Sequence, residues 1–275
     1  MKGIIFRGIA ILILLLSVPL ANAETFKVAE GTFSEVPDQI FTRLNNSSLK
    51  PAGWSFESPY QNITGQAYAV NMATLTQAQL LAYDLIFFTN HTSNAFTDDQ
   101  VASIKTWISA GGTLWIDDCG SMNLSNFFLP VSFTSYDGRT NNGSKVIPDA
   151  YSNYYFFNNI YDLTPTERSN LGHPDYSSTV HYGDGWNLLV SNRVNGVDYP
   201  DMIARQYGLG RIIVTADDYG CGIYDYQNSE DIKLAYNILK WAKENPESKV
   251  PEPTTMLLLG LGLAGLVGVR RKLQK

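Results

Sequence analysis

Residues 83–120 read YDLIFFTNHTSNAFTDDQVASIKTWISAGGTLWIDDCG, and this stretch decides the fold. LIFFT and TLWID, near its two ends, are short, dense apolar runs without polar alternation, the pattern of strands buried on both faces. Between them Thr97 stands as an N-cap before Asp98 and Asp99, with Gln100 at the capping-box position. Val101, Ile104 and Ile108 then share one helical face, and Gly111-Gly112 ends the run. Strand, helix and strand in that order predict a right-handed crossover joining parallel strands.

The same two periods alternate outward from this unit. TFKVAE (25–30), QAYAVNM (66–72) and RIIVTAD (211–217) read as further strands. NSEDIKLAYNILKWAKEN (228–245) reads as a capped helix with Ile232, Ala235, Tyr236 and Leu239 as its buried stripe. PDQIFTRLNN (37–46) and LTQAQLLAYD (75–84) carry shorter helical patterns. The expected fold class is α/β, a mostly parallel doubly wound sheet with helices on both faces. Residues 121–210 break the rhythm and read as a loop- and strand-rich insertion, in which GWNLLVSNRV and DYPDMIARQYG read as an antiparallel pair around NGVDYP (195–200).

Composition narrows the partners. The chain has 275 residues, is 44% hydrophobic and 17% charged, and carries a net charge of −6. Its two ends are basic, so the domain between them is more acidic still, which argues against nucleic acid or anionic lipid as a partner.

The N-terminal end carries Lys2 and Arg7, an apolar run from Gly8 to Val18, and the small residues Ala21 and Ala23. This is the layout of a secretory signal peptide over 1–23, cut by signal peptidase after Ala23 so that the mature chain begins at Glu24. At the other end, ENPES-KVPEP leads from the domain (24–245) through a linker (246–250) to an apolar, glycine-rich segment, 256–269, followed by Arg270, Arg271 and Lys272. As a helix that segment rises about 21 Å at ~1.5 Å per residue, a marginal membrane anchor against a ~30 Å hydrocarbon core. The basic residues beside both apolar runs place the two ends in the cytoplasm and the domain outside.

Pro251-Glu252-Pro253, the short glycine-rich span and the terminal arginines together resemble the PEP-CTERM sorting signal, covering 251–275. The resemblance implies a Gram-negative exporter of exopolysaccharide, recognition and removal of the tail by the membrane protease exosortase, transient anchoring, and a final place at the cell surface or in the matrix. Most of 24–245 resembles the class I glutamine amidotransferase-like fold, with GGTLWIDDC where those enzymes have their nucleophile turn. That second resemblance implies a flavodoxin-like sheet of order 2-1-3-4-5. TLWID and RIIVTAD would then be neighbours.

Both of those runs end on an aspartate pair and then reach a cysteine: Asp117, Asp118 and Cys119 in one, Asp217, Asp218 and Cys221 in the other. Three readings stand. As a nucleophile, Cys119 follows two carboxylates that suppress its thiolate, and His173 with Asp175 sits in a loop, a poor match to a catalytic triad. As a staple, Cys119 and Cys221 meet at neighbouring strand ends in an oxidising compartment and form a disulfide. As a metal cup, Asp117, Asp118, Asp217, Asp218 and His91 gather around a divalent cation such as calcium, unless the carboxylates cap helices and turns instead. The expected function is an exported surface or matrix protein whose domain binds or supports, with exopolysaccharide as a candidate partner. The alternative is a secreted hydrolase of carbohydrate or peptide working through the strand-end carboxylates.

Overall fold

The computed structural model describes residues 23–33, 39–61, 63–89, 96–117, 131–135, 144–148, 156–172, 178–216, 219–225 and 227–244. Residues 1–22 of the expected signal peptide and the whole sorting segment lie outside these residues. Within them, no helix is long and apolar enough to cross a membrane.

In chain order the elements are β1 (Glu24–Thr32), α1 (Ile40–Asn46), β2 (Trp54–Glu57), β3 (Ala69–Asn71), a 3-10 turn (Met72–Thr74), α2 (Gln77–Leu80), β4 (Leu85–Thr89) and α3 (Asp98–Ser109). There follow β5 (Thr113–Asp117), β6 (Val131–Ser135), β7 (Ser144–Val146), α4 (Pro165–Ser169), β8 (Ser178–Tyr182), β9 (Asn187–Val194), β10 (Val197–Tyr207), β11 (Gly210–Thr215), α5 (Tyr219–Tyr224) and α6 (Ser229–Lys243). The main sheet runs β2-β1-β4-β5-β11-β10-β9-β7, and β3 extends β2's side of β1. β2, β3, β1, β4, β5 and β11 are parallel, which is the 2-1-3-4-5 order once β2 and β3 are counted as one position.

The run 121–210 is not set apart from this sheet. β10, β9 and β7 widen it with antiparallel pairings, while β6 and β8 form a separate two-stranded sheet. The reason is local. Asn195 and Gly196 both take positive φ, 52° and 80°, which makes a two-residue turn and forces β10 back along β9. Gly208, at φ 62°, then turns β10 into β11.

Two apolar layers cover the sheet. On one face, Ile40, Phe41 and Leu44 of α1, Ile223 of α5, and Ile232, Ala235, Tyr236 and Leu239 of α6 pack on Phe26, Phe87, Trp115 and Ile213. Phe156 and Phe157, from the aromatic run after β7, are fully buried in this layer. On the other face, Val101, Ile104, Trp107 and Ile108 of α3 pack on Ile86, Phe88, Leu114 and Val214, with Val131 and Val180 beside them.

α3 forms as its sequence dictates. Gln100 N–H donates to Thr97 Oγ1 at 3.3 Å, and Thr97 N–H donates to Gln100 Oε1 at 2.8 Å. Trp107 anchors the helix by donating its ring N–H to Tyr83 O at 3.0 Å. The double glycine after it is required twice over: Gly111 sits at φ 120°, and a Cβ on Gly112 would lie 2.2 Å from the Trp107 ring. Thr97→Ala removes one cap bond and leaves an N–H of the first turn open, so it should cost about 1 kcal/mol. A urea midpoint unchanged from the parent would contradict this account of the crossover helix.

Candidate functional site

Residues that follow the strands line the crevice at the carboxyl edge of an open parallel sheet. β5 ends on Asp117 and β11 on Thr215, which are register partners on adjacent parallel strands. Asp117 is buried, with 1% of its surface exposed. Its Oδ1 accepts from the Thr215 hydroxyl and from Tyr219 N–H at 3.2 Å, and its Oδ2 accepts from Gly220 N–H at 2.6 Å. These N–H groups open α5 and have no partner within the helix. The carboxylate therefore caps a helix, one that follows the neighbouring strand rather than its own, and its charge faces the positive end of the peptide dipoles.

A second carboxylate lies beside this cap. Ala216 N–H donates to Asp201 O at 2.9 Å, which brings the β10 backbone to the same sheet end. The Asp201 side chain has no exposed surface, and its Oδ2 accepts from Lys145 Nζ at 3.0 Å and from the Tyr219 hydroxyl at 2.7 Å. Its Oδ1 has no hydrogen-bond partner among the described residues. Lys145 is equally withdrawn, 4% exposed along its side chain, and its ammonium sits 5.7 Å from the Tyr219 ring centroid. Tyr219 thus touches both carboxylates, one through its backbone and one through its hydroxyl.

The third is Asp231, in the first turn of α6 and fully buried. It accepts from Gly172 N–H at 2.8 Å and from Asn228 Nδ2 at 3.0 Å. A Cβ on Gly222 would lie 2.1 Å from its Oδ2, so glycine alone lets α5 come this close. Burial pushes the carboxyl up to about 7; the Gly172 N–H, the Lys145 ammonium and Asn228 act against burial, and Glu230 adds to it.

Asp117 is thus described and turned into the fold, and Glu24 opens β1 directly after Ala23. His91, Asp118, Cys119, His173, Asp217 and Asp218 lie outside the described residues, as do Ala21, Pro251, Glu252, Pro253, Arg270 and Arg271. Cys221 belongs to the backbone of α5, and its side chain is outside the description. His181 is exposed on β8. No group of three or more His, Cys, Asp or Glu side chains that could hold a metal occurs among the described residues. Sequence reading did not find Lys145, Asp201 or Asp231. Lys145 and Asp201 are 56 residues apart with no motif joining them, and Asp231 looks like an ordinary exposed acid of a helix start.

Two outcomes are expected. Asp117→Ala strands three buried or half-buried donors and should cost about 3 kcal/mol or more in a urea titration. Asp231 gives a pH signature. Its carboxyl binds a proton more tightly folded than unfolded, so its contribution is most favourable below about pH 4. That contribution declines as pH rises towards about 7, by roughly 4 kcal/mol in total. Asp231→Asn should flatten this slope between pH 4 and 7. The slope, not the absolute stability, is the readout, because the amide also changes the bond to Asn228. Glu167 acts in the opposite sense: the Lys233 ammonium and the Thr164 cap hold it down to about 2, so its contribution is lost as pH falls from its unfolded value of 4.5 towards 2 and leaves the range from about pH 5 to 7 to Asp231.

Comparison with known proteins adds the following. The PEP-CTERM protein-sorting motif matches residues 249–272, and the domain of unknown function DUF4159 matches residues 58–242. No curated protein sequence matches the chain. Among solved structures, the cytoplasmic protein STM3548 from Salmonella typhimurium aligns at 13% identity and a TM-score of 0.48, over 78% of this chain and 98% of its own. A putative ThuA-like protein from Bacteroides uniformis aligns at 13% identity and a TM-score of 0.47, over 84% and 98%. The β-galactosidase from Rahnella sp. R3 aligns at 14% identity and 0.47, over 84% of this chain and 33% of its own. The sorting motif implies export and exosortase-mediated delivery to the cell surface. The chain belongs to the DUF4159 family and carries, after that domain, a PEP-CTERM signal for exosortase.

Proposed function

We propose that the α/β domain serves at the cell surface or in the surrounding matrix as a binding or structural module rather than as a catalyst, with exopolysaccharide as its partner. The burial of Asp117 and Asp201 carries this reading. Both stand where an α/β enzyme of this topology would present a carboxylate, yet they are 1% and 0% exposed, with three of their four oxygens bound to backbone, hydroxyl and ammonium partners. A carboxylate so placed holds secondary structure together and offers no oxygen to a substrate.

Maturation follows the two ends of the chain. Signal peptidase cuts after Ala23, which leaves β1 whole because that strand starts at Glu24. The segment 256–269 holds the protein in the inner membrane until exosortase removes the tail beyond Pro251-Glu252-Pro253. Cys119 and Cys221 close a disulfide. In support, Cys119 follows Asp117 by two residues, and Cys221 directly follows Gly220, whose N–H binds the Asp117 carboxylate. In the chain-entropy picture, closing a loop of about a hundred residues adds ~4 to 5 kcal/mol.

Surface labelling in matched hosts tests the sorting. With exosortase present, an impermeant biotin reagent should label a chain that has lost its tail; without it, the tail should stay attached and the protein should remain in the inner membrane fraction. Chains of equal length in the two hosts would remove the basis for this reading. The staple has its own measurement. Denatured, unreduced protein should show no reactive thiol and reduced protein two, so two thiols before reduction would exclude the bond.

A further inference from the structure

The outer side of α5 borders a surface groove. The groove, of about 560 Å³, lies between the end of α1, the end of α5 and the start of α6. Arg43, Asn46, Ser47, Ser48, Gln227 and Ser229 line it, with the half-buried Leu49 at its base above the buried side chains of Ile223 and Ile232. Its size falls in the range of small-ligand sites, roughly 300 to 1,000 Å³.

Three features of the lining define a ligand. The Arg43 guanidinium lies 5.1 Å from the Tyr224 ring centroid, and no carboxylate among the described residues pairs with it. Ion pairs elsewhere on the domain engage Arg168, Arg193, Lys233, Lys240 and Lys243. The exposed Asn46, Ser48 and Gln227 side chains likewise make no hydrogen bond with described residues, so their donors and acceptors are open to a ligand. No carboxylate belongs to the lining. An acidic protein here presents one cation held against an aromatic ring, several neutral groups that both donate and accept, and one apolar side chain, Leu49.

We propose that this groove binds a saccharide bearing a carboxylate, such as a uronic acid unit within a polysaccharide. The guanidinium takes the carboxylate in a two-point contact, for which its planar fork is suited. The amides and hydroxyls meet sugar hydroxyls, which need partners of both kinds. Leu49, half-buried at the base of the groove, meets the C–H face of the ring. A nucleic acid would require many cations along a track, and the groove has one. The inference deepens the binding role proposed above and places it. Surface labelling tests export separately, so absence of sugar binding would leave the sorting reading standing.

Calorimetric titration of the full chain with trigalacturonate, and with the same trisaccharide as its methyl ester, tests the proposal. The free acid should bind, and the ester should bind about tenfold more weakly because it loses the charged contact. Arg43→Gln should bring the affinity for the acid down to that for the ester. Ser48→Asp, which adds a like charge without touching the stack on Tyr224, should lower it at least as far. It also keeps the test decisive if Arg43→Gln weakens the fold. Equal affinity for acid and ester, full affinity in Ser48→Asp, or no binding of either probe at millimolar concentration would each overturn the proposal.

Discussion

The Asp117 carboxylate and the first N–H groups of α5 form the contact on which this side of the molecule depends. α5 is six residues long, YGCGIY, and two of the six are glycines. Such a segment has little helical tendency of its own, since each glycine costs about 1 kcal/mol and so short a helix barely outlasts its nucleation. It holds its place because Asp117 receives Tyr219 N–H and Gly220 N–H while Asp201 receives the Tyr219 hydroxyl. The placement propagates. Gly222 comes to rest against Asp231, and Asn228 N–H then donates to Gly222 O at 2.9 Å, which fixes where α6 starts.

Glu30 does the same work at the other end of the layer. It is a buried carboxylate on β1, and its Oε1 accepts from Phe41 N–H at 2.8 Å in the first turn of α1. The residue before that helix, Gln39, sits at φ 57° and contributes no side-chain cap. α3 and α6, by contrast, are capped from within their own sequence by Thr97 and Asn228. Two of the helices on this face therefore depend on charged groups brought from the sheet. A buried carboxylate is costly alone, and the unpaired N–H groups of a helix start are costly too; meeting, each removes the other's penalty.

This division also explains what was legible beforehand. The crossover from β4 through α3 to β5 could be read because every signal for it is local: cap, acids, apolar stripe and double glycine lie in one stretch. The adjacency of β5 and β11 followed from the implied strand order, and the NGVDYP segment between two extended runs announced the β9–β10 pair. β2 was missed, as its four residues, WSFE, bury only alternate side chains and carry half the apolar signal of its neighbours. α5 was missed because glycine on both sides of Cys221 reads as a turn. The remote partners Lys145, Asp201 and Tyr219 come from three elements and share no spacing that a pattern could capture. Asp117 stood in the sequence as a candidate ligand or metal residue, and residue type and position could not distinguish a ligand from a cap. Only the location of α5 decides that.

That location has a consequence for where this domain can meet a ligand. In open parallel sheets the crevice at the carboxyl edge is free to be lined with reactive groups. Here α5 closes over the ends of β5 and β11, and the carboxylates beneath it are already engaged. The same helix that occupies the edge borders the groove shared with α1 and α6, and its last residue, Tyr224, supports Arg43. Cap and groove are thus two ends of one short helix. A change at Asp117 should be felt at Arg43 without any contact between them, because the carboxylate sets the start of the helix whose last residue orients the guanidinium. In this family member the strand-end aspartate would serve recognition indirectly, by holding the surface that recognises.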